Sequence, residues 1–297
     1  MTDRIVDLAD QPARLTVRLD QLVIERGEEK AVTVPLEELS VMVVSHPAVT
    51  FTHAVVAGIA SRGGALVVCD EKHMPVGMIL PLQSHHLQAE RFARQAGASL
   101  PTRKRVWQQL VKAKVRAQGN LLRELHGDDR GLIALSKHVR SGDPDNIEGR
   151  ASRRYWPALF PDSGFRRNRH AEDCNRHLNY GYAILRAIVA RAICAAGLHP
   201  SLGLHHHNRY DTFPLASDLM EPLRPVVDRA VLLYAARVDA YAPLDKNAKT
   251  ALIEALTGRV AIESEERTLF DGAARTASSL VQVYAGQRKQ LVLPEIL

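Results

Sequence analysis

Residues 74–82 read MPVGMILPL, and the character of the chain changes across them. Upstream, the apolar residues come in short β-branched runs. RLTVRLD (14–20) alternates, with Leu15, Val17 and Leu19 on one face, the two-residue period of a half-buried strand. QLVIERGEEKAVTVPL (21–36) predicts a hairpin around Arg26, Gly27, Glu28 and Glu29. VMVVS (41–45) and ALVVCD (65–70) have the continuous apolar content of fully buried strands. THAVVAGIASRGG (52–64) between them predicts one short helix stopped at the Gly63–Gly64 pair.

Downstream the period becomes helical. Val106, Leu110, Ala113, Ala117 and Leu121 make one apolar face, and Arg103, Lys104, Arg105, Lys112, Lys114 and Arg116 are expected on the remaining surface. Ile147, Ala151, Tyr155 and Leu159 step by four on another helix. The stretch from Asn175 to Leu198 is apolar around most of its circumference, so it predicts a central buried helix ended by Gly197. Ser217 is expected as the N-cap of the next helix, with Pro225 kinking it or shifting its start. Helices are also expected near 246–257 and 267–285. These patterns predict an α+β fold: a β-rich domain over residues 1–84 and a larger all-α domain over 85–297.

Charge divides along the same line. Residues 1–82 hold 7 Lys/Arg and 11 Asp/Glu, a net of −4, and the remainder holds 32 against 22, a net of +10. A basic helical half suits a polyanion, of which nucleic acid is the commonest. Cys69, Cys174 and Cys194 form no CxxC pair, and the first ten residues lack the order of a secretory signal. No apolar run reaches the length of a membrane span. The expectation is a cytoplasmic protein without a membrane partner.

Chemistry concentrates in LGLHHHNRYDTFPLASDLMEPLRPVVDR (202–229). If His205, His206 and His207 are extended, one imidazole or two can face a given site, but not three. Asp218 and Glu221 follow, three apart, and on one helix they share a face. Glu148, in NIEGRASRRYW, opens a helix beside Arg150, Arg153 and Arg154, where it is either a surface ion-pair partner or a metal ligand. One imidazole with two or three carboxylates makes a hard site suited to Mg²⁺ or Mn²⁺, and a dication among basic side chains suits phosphodiester chemistry. Spacing alone does not bring the three segments together.

Four ordered stretches carry a resemblance over essentially the whole chain: NIEGRASRRYWPALF (146–160), HLNYGYAILRAIVARAI (177–193), AGLHPSLGLHHHNRYDTFPLASDLMEPLRPVVDR (196–229) and ALVVCDEKHMPVGMILP (65–81). The sequence resembles the CRISPR-associated endonuclease/integrase of spacer acquisition, in its type II branch. The resemblance implies that Glu148, His206 and Glu221 are catalytic metal ligands, with Asp218 as a supporting ligand and His205 as the rival of His206. It places Asn179 and Tyr180 near the site. It implies a DNA endonuclease/integrase that inserts short fragments into a CRISPR array by 3′-hydroxyl transesterification, using Mg²⁺ or Mn²⁺. Expected partners are double-stranded DNA (prespacer and CRISPR repeat), a second copy of the chain paired through the β domain, and a small ferredoxin-like adaptation protein whose dimer bridges two such homodimers. Whether the RNA-guided effector nuclease joins them stays open. Arg153, Arg154, Arg166 and Arg167 are the expected DNA contacts. Two rivals remain: a non-catalytic DNA-binding scaffold, and a Zn²⁺ hydrolase using His205 and His207 as a pair.

Overall fold

A computed structural model describes residues 3–71, 73–161, 164–168, 170–205, 210–238 and 241–297. The first eight strands are β1 (Arg4–Leu8), β2 (Ala13–Arg18), β3 (Gln21–Glu25), β4 (Val32–Pro35), β5 (Leu39–Val44), β6 (Val49–Phe51), β7 (Ala65–Cys69) and β8 (Pro75–Ile79). They form two four-stranded sheets, in the orders β4-β3-β2-β6 and β1-β5-β7-β8. The predicted hairpin is the antiparallel β3–β4 pair. In the second sheet β1, β5 and β7 run parallel, and β8 is added antiparallel to β7. Parallel strands are ordinarily covered on both faces, and every residue of β5 is buried. Met42, Val44 and Leu66 face a core shared with the first sheet and with helix α1 (His53–Ser61). Val41, Val43 and Val67, of opposite parity, face the helical core instead. Leu19 departs from its predicted place. It is almost wholly exposed, with φ of 49°, because it lies in the turn after β2 and not on the strand's apolar face.

The helical part comprises α2 (Gln88–Ala96), α3 (Leu100–His126), α4 (Leu132–Ser136), α5 (Ile147–Leu159), α6 (Asn175–Ala195), α7 (Pro214–Leu219), α8 (Arg224–Ala235), α9 (Lys246–Leu256) and α10 (Leu269–Tyr284). It is not purely helical. β9 (Arg259–Ile262) pairs antiparallel with β10 (Glu265–Thr268) and with β11 (Glu295–Ile296), so part of the C-terminal tail closes a three-stranded sheet. Those strands are four residues or fewer, too short to show a period in sequence. Among the described residues, no helix is long and apolar enough to cross a membrane.

The central element is α6, which packs on β5, β7, α7, α8, α9 and α10. Gly181 brings α8 close: a Cβ there would lie 2.5 Å from a Val227 methyl, so only glycine lets the two helices approach as they do. Pro222 and Pro225 interrupt, at its start, the helix expected from Ser217 onward. α7 ends at Leu219, a 3₁₀ turn spans Glu221–Leu223, and α8 begins anew at Arg224 with Pro225 in its first turn. Pro225 therefore shifts the helix start without kinking it. Ser217, expected as an N-cap, lies inside α7, whose N-cap position is Phe213.

Candidate active site

Glu148 sits in the first turn of α5, where the aligned peptide dipoles favour a carboxylate. The orphan amides of that turn are occupied by other acceptors. Asp143 accepts from the N–H groups of Ile147 (2.9 Å) and Glu148 (3.0 Å), and Asn146 accepts from Gly149 (3.0 Å). Asn146 reaches this geometry with left-handed backbone angles, and Gly149 makes room for it, since a Cβ there would sit 2.6 Å from the Asn146 Oδ1. The Glu148 side chain is thus free to turn inward. The predicted stripe behind it holds: Ile147, Ala151, Tyr155 and Leu159 are all buried.

The inward partner is Lys114, placed on the basic surface of α3 by the sequence pattern but buried in the fold. Its Nζ lies 2.6 Å from Glu148 Oε1 and 2.6 Å from Glu221 Oε2. Glu221, only 2% exposed, projects from the 3₁₀ turn, and its other oxygen lies 2.9 Å from Arg224 Nε. Carboxylates from two separate segments therefore meet at one ammonium. Burial acts to lower the Lys114 pKa, but the Glu221 and Glu148 charges outweigh it and hold the group above the ordinary lysine value.

A second layer supports the first. The Arg224 guanidinium lies over the Tyr182 ring, 4.6 Å from its centroid. Tyr182 and Tyr155 both donate their hydroxyls to the buried Asp228, the latter at 2.7 Å. Burial pushes the Asp228 carboxyl up to about 6 even though both hydroxyls favour its ionised form. Burial, with the Asp228 charge second, holds both tyrosines well above 10.

Asp218 and Glu221 have different partners among the described residues, although the backbone between them stays right-handed helical at Met220. Asp218 is fully buried, and its Oδ2 accepts from the backbone N–H groups of Leu204 (2.7 Å) and His205 (3.1 Å). It anchors the backbone on the upstream side of the histidine run. The His205 ring is stacked on Trp107, 4.4 Å between centroids and 4° between planes. Upstream, Gln95 donates to the carbonyls of His199 (2.9 Å) and Leu202 (3.0 Å), and downstream Ser201 Oγ donates to the Thr212 carbonyl (2.7 Å). His206 and His207 lie outside the described residues. Among the described residues no cluster of three metal-ligating side chains is present.

Arg153, Arg154 and Arg166 are exposed. Arg167 is half-buried and turned inward, donating to Asn175 Oδ1 (2.8 Å) and Asn179 Oδ1 (2.7 Å) beside the Tyr182 ring. Asn179, expected near the site, thus reaches it through Arg167. Tyr180 points elsewhere, to an ionisable cluster around Asp7 beneath the β sheet.

The model of the family described as CRISPR associated protein Cas1 matches residues 7–242. The chain belongs to the Cas1 family. Its relatives include the CRISPR-associated endonuclease Cas1 of Neisseria meningitidis serogroup C (strain 8013), 34% identical over 98% of this chain and 95% of that one. Two solved structures share the Cas1-type fold over nearly full length. A casposase bound to integration product matches with a TM-score of 0.80, 18% identity, and coverage of 97% of this chain and 92% of that one. A CAS1 protein from Thermotoga maritima matches at 0.75 and 19% identity, covering 96% and 98%.

Proposed function

We propose that the protein is a divalent-metal-dependent DNA endonuclease and integrase of CRISPR spacer acquisition, with Glu148, His206 and Glu221 holding the ion. The observation that carries this reading is the meeting of Glu148 and Glu221 at one nitrogen, 2.6 Å from each, in a Cas1-family chain. Two carboxylates that share one cation would suit a hard dication in the place of the ammonium. Mg²⁺ or Mn²⁺ suits this oxygen-rich set better than Zn²⁺. When bound, the ion supplies charge stabilisation to the target phosphate and its leaving oxygen.

The chain's own residues do the remainder. Arg224 holds one oxygen of Glu221, leaving the other directed at the centre of the site. Asp218 fixes the backbone that leads into His206. The exposed Arg153, Arg154 and Arg166 offer phosphate contacts, and such contacts make binding salt-dependent. Arg167 acts indirectly, by ordering Asn175 and Asn179. The reaction joins a fragment's 3′-hydroxyl to phosphorus at a repeat boundary while the array's own P–O bond breaks. One phosphodiester replaces another, so no nucleotide cofactor is consumed.

The relative named an endonuclease, the casposase bound to integration product, and a Cas6-RT-Cas1–Cas2 complex that matches at a TM-score of 0.75 support this assignment. The last supports a small Cas2-type partner, here a ferredoxin-like dimer bridging two homodimers of this chain. Stacking of His205 on Trp107 weighs against the rival zinc site built from His205 and His207. The test is strand transfer of labelled fragments into a plasmid-borne CRISPR array with the partner protein and Mn²⁺. Wild type is expected to give covalent products, and Glu148→Ala, His206→Ala and Glu221→Ala are expected to give none. Full activity in all three variants would overturn the role assignment.

A further inference from the structure

Four side chains of the site are linked in a row, Glu148 to Lys114 to Glu221 to Arg224: two carboxylates, one ammonium and one guanidinium. The formal charges of these four cancel, and Asp228 is a further acid behind them, bonded to Tyr155 and Tyr182. The cluster is also largely withdrawn from water. Side-chain exposure is 9% for Lys114 and 2% for Glu221, while Glu148, at 23%, and Arg224, at 21%, are partly open. Buried Val111, Val115 and Gln118 flank Lys114 on α3, which keeps its ammonium at the carboxylates.

We propose that Lys114 is a built-in counter-cation: it holds Glu148 and Glu221 together without metal, and it makes dication binding at this site depend on bound DNA. The inference rests on the reading of Glu148 and Glu221 as metal ligands. The physical reason is charge balance. A cluster that is already neutral gains two positive charges when a dication enters, and an uncompensated charge in a poorly solvated place is costly. A phosphodiester lying against the cluster brings negative charge to offset it. By linkage, whatever DNA does for the ion, the ion does equally for DNA. Without the ammonium, the two carboxylates alone match a dication and no phosphate is needed to complete the balance. Lys114 is thus a positioning residue for the carboxylates, and it restricts a loaded, hydrolysis-competent centre to the DNA-bound protein.

The test measures Mn²⁺ affinity by electron paramagnetic resonance, without DNA and with a short duplex bearing 3′ overhangs. The Glu148→Gln/Glu221→Gln double variant with the same duplex gives the baseline for Mn²⁺ held by DNA alone. Wild type is expected to bind Mn²⁺ at least tenfold more tightly with DNA. Lys114→Met and Lys114→Gln are expected to raise the DNA-free affinity about tenfold and to flatten the DNA dependence, whereas a merely structural lysine would leave the affinity of a folded variant unchanged or weaker. The inference is overturned if a folded neutral variant binds Mn²⁺ without DNA no better than wild type, or if wild-type affinity is indifferent to DNA. Should both neutral variants fail to fold, wild type and the charge-preserving Lys114→Arg decide by their DNA dependence. Mn²⁺ binding unaffected by the Glu148/Glu221 double variant would instead remove the metal-ligand reading itself.

Discussion

Glu221→Ala is expected to destabilise the metal-free protein, the reverse of what removing an acid from an unpaired acidic cluster does. Glu221 is 2% exposed and meets two cations, Lys114 Nζ at 2.6 Å and Arg224 Nε at 2.9 Å. Deleting one member of a buried ion pair costs about 3–5 kcal/mol, because a charge is left without compensation. Here each cation keeps a second contact, Lys114 with Glu148 and Arg224 with the Tyr182 ring, so the low end, about 3 kcal/mol, is expected. With a urea dependence of about 3 kcal/mol per molar for a chain of this size, the midpoint falls by about 1 M. The assay is equilibrium urea unfolding in EDTA, followed by circular dichroism. The double variant Lys114→Met/Glu221→Ala supplies a cycle and is expected to cost less than the two single changes summed. A Glu221→Ala midpoint equal to or above wild type would refute the pairing on which the site description stands.

Asp218→Asn is expected to keep most strand-transfer activity, since an amide oxygen still accepts from Leu204 and His205, while Asp218→Ala loses it; a metal-ligand role would make both variants equally poor. Gly149→Ala forces a Cβ against Asn146 Oδ1 and breaks that cap, costing about 1 kcal/mol of stability by thermal melting and displacing Glu148, with lower activity. Asp228, raised from 3.8 to about 6, binds its proton more tightly folded than unfolded, so its contribution is fully present below the unfolded value and is lost as pH rises through the folded one. Asp228→Asn should therefore flatten the fall in stability between about pH 4 and pH 6 by up to about 3 kcal/mol relative to wild type, measured by urea unfolding across pH, and an unchanged slope would contradict the burial argument. Asp7, also raised to about 6, contributes in the same window in both proteins and drops out of the difference.

The change from strands to helices across MPVGMILPL is legible because strand and helix periods differ, and so is the stripe Ile147, Ala151, Tyr155 and Leu159, because a step of four has one geometric meaning. What spacing could not convey was the break at Met220–Leu223. Spacing sets Asp218 and Glu221 three apart but does not show that a loop backbone takes up one carboxylate and Lys114 the other. The stripe through Val106, Leu110 and Leu121 puts Lys114 on the surface, because it is only part of the buried face of α3. Trp107, Val111, Val115 and Leu122 form a second buried stripe, and a lysine set within it is a signal that could have been found. Asp228 and Arg224 stood in the quoted PLRPVVDR, but their partners Tyr155 and Tyr182 lie 73 and 46 residues from Asp228, a pairing that only tertiary packing reveals. The β9–β11 sheet escaped because two of its strands are four residues long and the third only two.

The most direct measurement is an anomalous-scattering map at the manganese edge, from crystals of the DNA complex grown with Mn²⁺. The account predicts one strong peak about 2.1–2.2 Å from a carboxylate oxygen of Glu148 and one of Glu221, with a His206 ring nitrogen as the third protein ligand and the Lys114 ammonium moved aside. A peak coordinated by neither carboxylate, or full strand-transfer activity in crystals whose Glu148–Lys114–Glu221 bridge stays closed and metal-free, would contradict it.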